Sequence, residues 1–171
     1  AMNMLSCLLV ANGMKICSKR SREYLNQIQG LPHRLEIIAK KGGITIVEDS
    51  KSTSSQSLAA ALGSFGNTKN LLLIVGGSDK GDSFFHLNTL FSSRVAAMVC
   101  IGATKEQFVD IAKTTKIDYL STDNLLEGVH WLYKKKKAGD ILMLSPGCAS
   151  FGLFKDYLDR ANQFRDIIKK L

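Results

Sequence analysis

An α/β fold, with a mainly parallel sheet covered by helices on both faces, is predicted by three observations. Short apolar runs alternate with amphipathic stretches of helical period along most of the chain. Two runs, residues 71–75 and Val95–Ile101, are apolar without a break, as strands buried on both faces are. Each run ends in a polar or glycine-rich turn that feeds the next helical stretch.

Residues 1–29 differ from the rest. Leu5, Leu8 and Leu9 recur at helical spacing until Asn12-Gly13 stops the run. A second short amphipathic helix over 21–28 carries Tyr24, Leu25 and Ile28 on one face. Two such helices cannot bury these faces alone. Pro32 then disfavours helical geometry at Leu31, and a hairpin follows. Its strands are residues 35–39 and Ile44–Glu48, and Lys41-Gly42-Gly43 makes the turn. An alanine-rich helix covers 58–62. Strand 71–75 leads to a helical piece near 84–91, and Val95–Ile101 leads to a helix over 104–113. Tyr119-Leu120 is a short strand, and Asp123 caps a helix from Asn124 to about Lys136. The last strand is Ile141–Leu144, and the closing helix starts at about Leu153 and runs to Lys170. The result is a Rossmann-like sheet with an opening β-hairpin and a short N-terminal helical segment.

The 171 residues, 45% of them apolar, suffice for a sizeable core. The net charge of +8 favours anionic partners. No arginine-rich arm or basic–aromatic interleaving is present, so a small anionic ligand is expected rather than a nucleic acid. The run Lys134 to Lys137 ends a helix, where it complements the dipole. Cys7, Cys17, Cys100 and Cys148 form no C-x-x-C pair and lie in or beside apolar segments, which predicts buried free thiols in a reducing compartment. His33, His86 and His130 show no zinc-ligand spacing with them, so no metal site is expected. No apolar run reaches the roughly 18 residues a membrane span needs, and residues 5–11 lack the flanks of a signal peptide. A cytoplasmic chain without a membrane partner is expected.

Three strand ends carry the chemistry. Asp49-Ser50-Lys51-Ser52-Thr53 follows the hairpin, Gly76-Gly77-Ser78-Asp79-Lys80-Gly81 the next strand, and Ser145-Pro146-Gly147-Cys148-Ala149-Ser150 the last. In a parallel sheet these turns share one edge, where ligands collect. Each read singly is explained by helix capping or backbone geometry. Together they offer two lysines and several hydroxyls around one cleft, a receptor for a dicarboxylate or a phosphorylated ligand. The spacing is neither a P-loop nor G-x-G-x-x-G. No nucleophile–base pair, acid–base carboxylate pair or dense acidic cluster appears, so no catalytic residue is assigned.

These turns also occur in one family, in order with Leu31-Pro32-His33-Arg34-Leu35-Glu36, Phe154-Lys155 and Arg160-Ala161-Asn162-Gln163-Phe164. From Asn3 to its end the chain resembles the C-terminal domain of UDP-N-acetylmuramoyl-L-alanine–D-glutamate ligases, the MurD type of Mur ligase. The resemblance implies a Rossmann-like domain over 30–171 that brings in the amino acid, and a helical remnant of the central ATPase domain over 1–29. It implies an enzyme that uses ATP and Mg²⁺, bound mainly by the central domain, to make an acyl phosphate on UDP-N-acetylmuramoyl-L-alanine. The amine of D-glutamate then attacks that acyl phosphate, in peptidoglycan precursor synthesis. The missing N-terminal and central domains would make this chain inactive alone.

Residue by residue, the family pattern gives D-glutamate to Thr53, Lys80, Ser150, Phe151 and Tyr157. Lys80 and Thr53 would hold one carboxylate, and Ser150, with backbone near Phe151 and Tyr157, the other. Arg34, Asp49 and Lys51 match positions that meet the nucleotide, as does Asn3 at the start of the chain. Phe151 stands where leucine is common, Tyr157 where phenylalanine is, and Ser54 where asparagine is usual. From the residues alone, a stand-alone Rossmann-like module for a nucleotide or anionic metabolite remains the alternative.

Overall fold

The computed structural model describes residues 2–16, 23–24 and 30–171, the side chains of residues 2–5 excepted. It contains two compact units, Ala1–Leu31 and Pro32–Leu171. The first holds helix α1 (Met2–Gly13), which ends at the expected glycine. Cys17 and the helix expected over 21–28 lie outside the described residues, Glu23 and Tyr24 apart. Among the described residues no helix is long and apolar enough to cross a membrane.

The second unit is a six-stranded sheet in the order β1-β2-β6-β3-β4-β5. Strands β1 (Glu36–Lys41) and β2 (Ile44–Glu48) form the antiparallel hairpin. Strands β3 (Leu71–Gly76), β4 (Val95–Ile101), β5 (Asp118–Ser121) and β6 (Ile141–Leu144) join β2 in parallel. Period-2 alternation splits the unbroken apolar runs between two cores. Leu71, Leu73 and Val75 meet the apolar faces of α2 (Ser55–Gly63), α3 (Asn88–Arg94) and α4 (Lys105–Thr115). Leu72 and Ile74 meet α5 (Leu125–Lys135) and α6 (Tyr157–Lys170) on the other side. A single 3₁₀ turn, Phe85–Leu87, precedes α3, so the helical piece expected near 84–91 is real but shifted.

Three expectations need correction. The closing helix begins at Tyr157, not near Leu153, because Asp156 caps it by accepting from Asp159 N; a turn fills the gap. Ser145 and Ser150 therefore do not flank its N-terminus. Asn124, not Asp123, caps α5; Asp123 instead accepts from Gly102 N (2.9 Å) and from Lys105 (2.8 Å). Cys7 is exposed, whereas Cys100 and Cys148 are buried free thiols whose pKa burial raises, for Cys100 to about 12.

The strand order places the switch point at β6. Helices after β2, β3 and β4 cover one face and the helix after β6 covers the other, so the connections part around its C-terminal end. The turns there are sewn together. Gly76 N donates to Pro146 O and Ser78 N to Ala149 O, each at 2.9 Å. Gly77 N donates to Thr104 Oγ1 (3.1 Å), and Thr104 N returns to Gly77 O (3.1 Å). Ser145 Oγ donates to Asp49 Oδ2 (2.7 Å). From α6, the fully buried Arg160 donates to Cys148 O (3.1 Å) and Ser50 O (2.9 Å), joining the β6 turn to the β2 turn.

Two outcomes follow from this stitching. Gly76 has φ +107°, and a Cβ there would lie 2.1 Å from Ile101 O. Gly76→Ala should therefore lose on the order of 3 kcal/mol in urea unfolding, and wild-type stability would refute the close approach. Burial pushes the Asp49 carboxyl up to about 6, against the bonds from Ser145 and Leu35. A raised native pKa contributes stability that is full below the ordinary value of 3.8 and is lost as pH rises through about 6. Asp49→Asn should then gain roughly 3 kcal/mol on wild type between pH 4 and pH 7. Parallel stability profiles of the two proteins would count against a buried, destabilised carboxylate.

Candidate functional site

The rim of the sheet at the carboxyl ends of β2, β3 and β6 carries a narrow crevice. Thr53 from the β2 turn, Ser78 and Lys80 from the β3 turn, and Gly147 to Ala149 from the β6 turn line it. Thr53 is free to face it because the capping it seemed suited for falls to its neighbour. Ser54 forms a capping box with Ser57 at the start of α2, accepting from Ser57 N while Ser57 Oγ accepts from Ser54 N. The Thr53 and Ser78 hydroxyls have no hydrogen-bond partner among the described residues, and the Ser78 oxygen is buried. Lys80 is exposed, and among the described residues it makes no ion pair. Asp79, on the same rim, turns its carboxylate back to accept from Gly81 N at 2.8 Å. The crevice thus presents one ammonium and two available hydroxyls, a set that suits a carboxylate, beside the side chains of Asp79 and Asp82, which also line it.

Ser150 follows the last lining residue and is buried; its carbonyl accepts from Phe154 N at 3.1 Å. Phe151 is 62% exposed and stands apart from the crevice. It borders a wider groove of about 570 Å³, with Gly102, Lys105 and Asp123 on the opposite wall. Ser78 lines both spaces, so the two communicate along the same edge. Tyr157 belongs to neither. Its ring stands edge-on to His33 with centroids 6.0 Å apart, and the Lys51 ammonium lies 5.5 Å from its centroid. Thr53, Lys80 and the Ser150 turn are brought together; Phe151 and Tyr157 do not line their crevice.

Three of the nucleotide candidates, Arg34, Asp49 and Lys51, form a second group. Arg34 is exposed, and its charge lowers the pKa of Asp49, though burial of that carboxyl outweighs it. Asp49 spends both carboxylate oxygens internally, accepting from Leu35 N (3.1 Å) and Ser145 Oγ (2.7 Å). Lys51 N donates to His33 O at 3.1 Å, which ties this turn to the segment that carries Arg34. Asn3 lies in α1, and its side chain is outside the described residues.

The structure adds residues that sequence reasoning missed. Arg160 was part of a recognised run without a role, yet it occupies the apolar stripe of α6 with Ala161, Phe164 and Ile168. A charge on that stripe was the available signal. The sequence marks Thr104 only as the start of a helix; its hydroxyl accepts from Gly77 N and lies 3.4 Å from Cys148 Sγ. His33, Glu36 and Glu48 bring one potential ligand atom each within 4.8 Å of one another. Arg165 already bonds both carboxylates, Glu36 at 2.6 Å and Glu48 at 2.9 Å. No spacing rule pointed to that grouping.

Comparison with known proteins places this geometry. The chain is 32% identical to the UDP-N-acetylmuramoylalanine–D-glutamate ligase of Christiangramia forsetii over 171 residues, all of this chain and 38% of that protein. It is 34% identical to the same-named enzyme of Aquifex aeolicus, over 94% of this chain and 38% of that protein. The chain thus spans well under half the length of these relatives. Among solved structures, UDP-N-acetylmuramate-alanine ligase from Thermotoga maritima superposes with a TM-score of 0.69 over 98% of this chain and 37% of that one. At 13% identity that likeness speaks for the fold alone. The profile of the Mur ligase, glutamate ligase domain family matches residues 33–148. That match covers the hairpin, the parallel sheet and all three rim turns up to Cys148, and the chain belongs to the Mur ligase glutamate ligase domain family.

Proposed function

We propose that this chain is the amino-acid-binding domain of an ATP-dependent ligase that adds D-glutamate to UDP-N-acetylmuramoyl-L-alanine in peptidoglycan precursor synthesis. The observation that carries the reading is the crevice shared by Thr53 and Lys80 beside the Ser150 turn, with an open ammonium and open hydroxyls. The names of the relatives supply the substrate. In this reading Lys80 and Thr53 grip one carboxylate of D-glutamate, and Ser150 with the backbone near Phe151 takes the other. Charge-assisted bonds of this kind contribute roughly 1.5–3 kcal/mol each. Two fixed carboxylates orient the amine, and such positioning is a large part of the rate enhancement in bond formation between bound reactants. That amine is the nucleophile, which accounts for a rim without a nucleophilic side chain of its own.

ATP activates the acceptor carboxylate as an acyl phosphate. The preceding domains hold ATP and Mg²⁺, and Arg34 and Lys51 reach its phosphates from this side once the domains close. Residues 1–29 are the tail of the central domain in this reading. The apolar side chains of Leu9 and Val10 in α1, each more than 60% exposed, suit a helix that packs against a further surface. Closure completes the site, so the chain by itself is inactive and binds D-glutamate weakly. Tyr157, beside Lys51 and His33, belongs to the nucleotide side of the rim.

In the full-length enzyme, Lys80→Ala should raise the KM for D-glutamate at least about tenfold with little change in the KM for ATP. Wild-type kinetics for D-glutamate in that variant would remove Lys80 from the site. Calorimetry on this chain alone separates the ligase from a stand-alone module. The ligase reading expects no heat with D-glutamate, ATP or NAD at micromolar concentrations, and tight binding of any of the three would overturn it.

A further inference from the structure

The segment leading into the hairpin has an unusual backbone. His33 and Leu35 both adopt left-handed φ angles, 63° and 46°. Such angles strain a residue with a Cβ, a bulky leucine most of all, and persist only where the surroundings over-determine them. Four bonds do so here. His33 N donates to Glu36 Oε2 (2.9 Å), and His33 Nδ1 lies 2.6 Å from Glu48 Oε2. His33 O accepts from Lys51 N (3.1 Å), and Leu35 N donates to Asp49 Oδ1 (3.1 Å). Arg34, between the two strained residues, is left exposed beside Asp49 and the Lys51 turn.

Glu48 is the hub of this arrangement. It has no exposed surface. Its Oε1 accepts from Ser50 N at 2.7 Å, and its Oε2 meets His33 and the Arg165 guanidinium at 2.9 Å. Arg165 also donates to Glu36 Oε2, the oxygen that takes His33 N. Burial opposes the charged form of Glu48, yet bonds from Ser50, His33 and Arg165 hold its carboxyl below the ordinary range. Two carboxylates and an imidazole would make a cation-binding set. The cation here is a side chain, anchored in the middle of α6, and it fixes the set mechanically.

We infer that Glu48 and Arg165 are positioning residues that, through His33, clamp the strained 33–35 segment and so hold Arg34 and Lys51 in place for the phosphates of the nucleotide. The inference rests on the ligase reading above for the identity of that ligand. Arg34 has a long, exposed side chain and Lys51 a half-buried one that reaches toward Tyr157, and both project from backbone that is already fixed. Ordering the backbone in advance lowers what binding must spend on entropy. Neither Glu48 nor Arg165 lines the crevice of Thr53 and Lys80, so the clamp should act on one substrate and spare the other.

The test uses the full-length protein with ATP as the probe. In Arg165→Met and in Glu48→Gln the KM for ATP should rise about tenfold and that for D-glutamate stay within about twofold, with Arg165→Lys recovering part of the loss. Hydrogen exchange reads the clamp without reference to activity. The Leu35, Ser50 and Lys51 amides should exchange at least about tenfold faster in both variants, and the β3 and β4 amides at unchanged rates. Should Arg165→Met fail to fold, Glu48→Gln, which keeps shape and one accepting oxygen, still gives both readings. An unchanged KM for ATP overturns the proposal. So do unchanged amides, or equal rises in both KM values, which would mark general loosening of the rim. If the unsubstituted protein does not consume D-glutamate, the ligase reading fails instead, and amide exchange alone decides the clamp.

Discussion

The guanidinium of Arg160 lets separate turns behave as one surface. It is wholly buried, and among the described residues no carboxylate lies within ion-pair distance. A buried charge is costly unless its donors are met. Here the two terminal nitrogens meet the carbonyls of Cys148 and Ser50 while Nε has no partner among the described residues, and Glu48 and Asp49 contribute at longer range. Burial lowers its pKa to about 10, so it stays charged at neutral pH. If the β2 and β6 turns drew apart, the charge would be stranded. The β3 turn joins the same unit through the Ser78–Ala149 bridge. Distances among groups on all three turns are thereby set by the buried Arg160 side chain and by backbone contacts.

That rigidity leaves the reactive-looking groups free. Ser54 and Ser57 satisfy the start of α2, so Thr53 does not have to. Asp79 satisfies its own turn, so Lys80 remains unpaired among the described residues. Structural demand falls on the residues adjacent to the open groups, so the two do not compete for the same side chain. Asp49 shows the opposite arrangement. It matches a ligand-contacting position, yet Leu35 and Ser145 claim its carboxylate, and its service to the site is to hold the turn.

The fold was legible because its signals are local and redundant. Unbroken apolar runs, glycine turns and amphipathic periods placed every strand within a residue or two. Errors fell at helix starts, where several capping residues stand in a row and only geometry chooses among them. Asp123 and Asn124 are one such case; at the closing helix the apolar Leu153-Phe154 pair drew the expected start ahead of the Asp156 cap. The site was legible as a set of turns, since sheet geometry alone brings strand ends to one edge. It was not legible in its ties. Contacts such as Arg160 to Ser50 span 110 residues, and nothing in local pattern announces them. Glu48 read as the last residue of a strand; its partners His33 and Arg165 lie 15 and 117 positions away.

The strand at the middle of this sheet is the last to leave the ribosome. β6 pairs with β2 on one side and β3 on the other, and both have been synthesised long before Ile141 appears. Until then a nascent chain carries two open strand edges and an unfilled slot between them, the kind of surface that recruits chaperones or neighbouring chains. Assembly of the rim is thus postponed until β6 has been synthesised. A chain interrupted upstream of β6 has no partially useful form, because the same insertion that closes the sheet also creates the cleft.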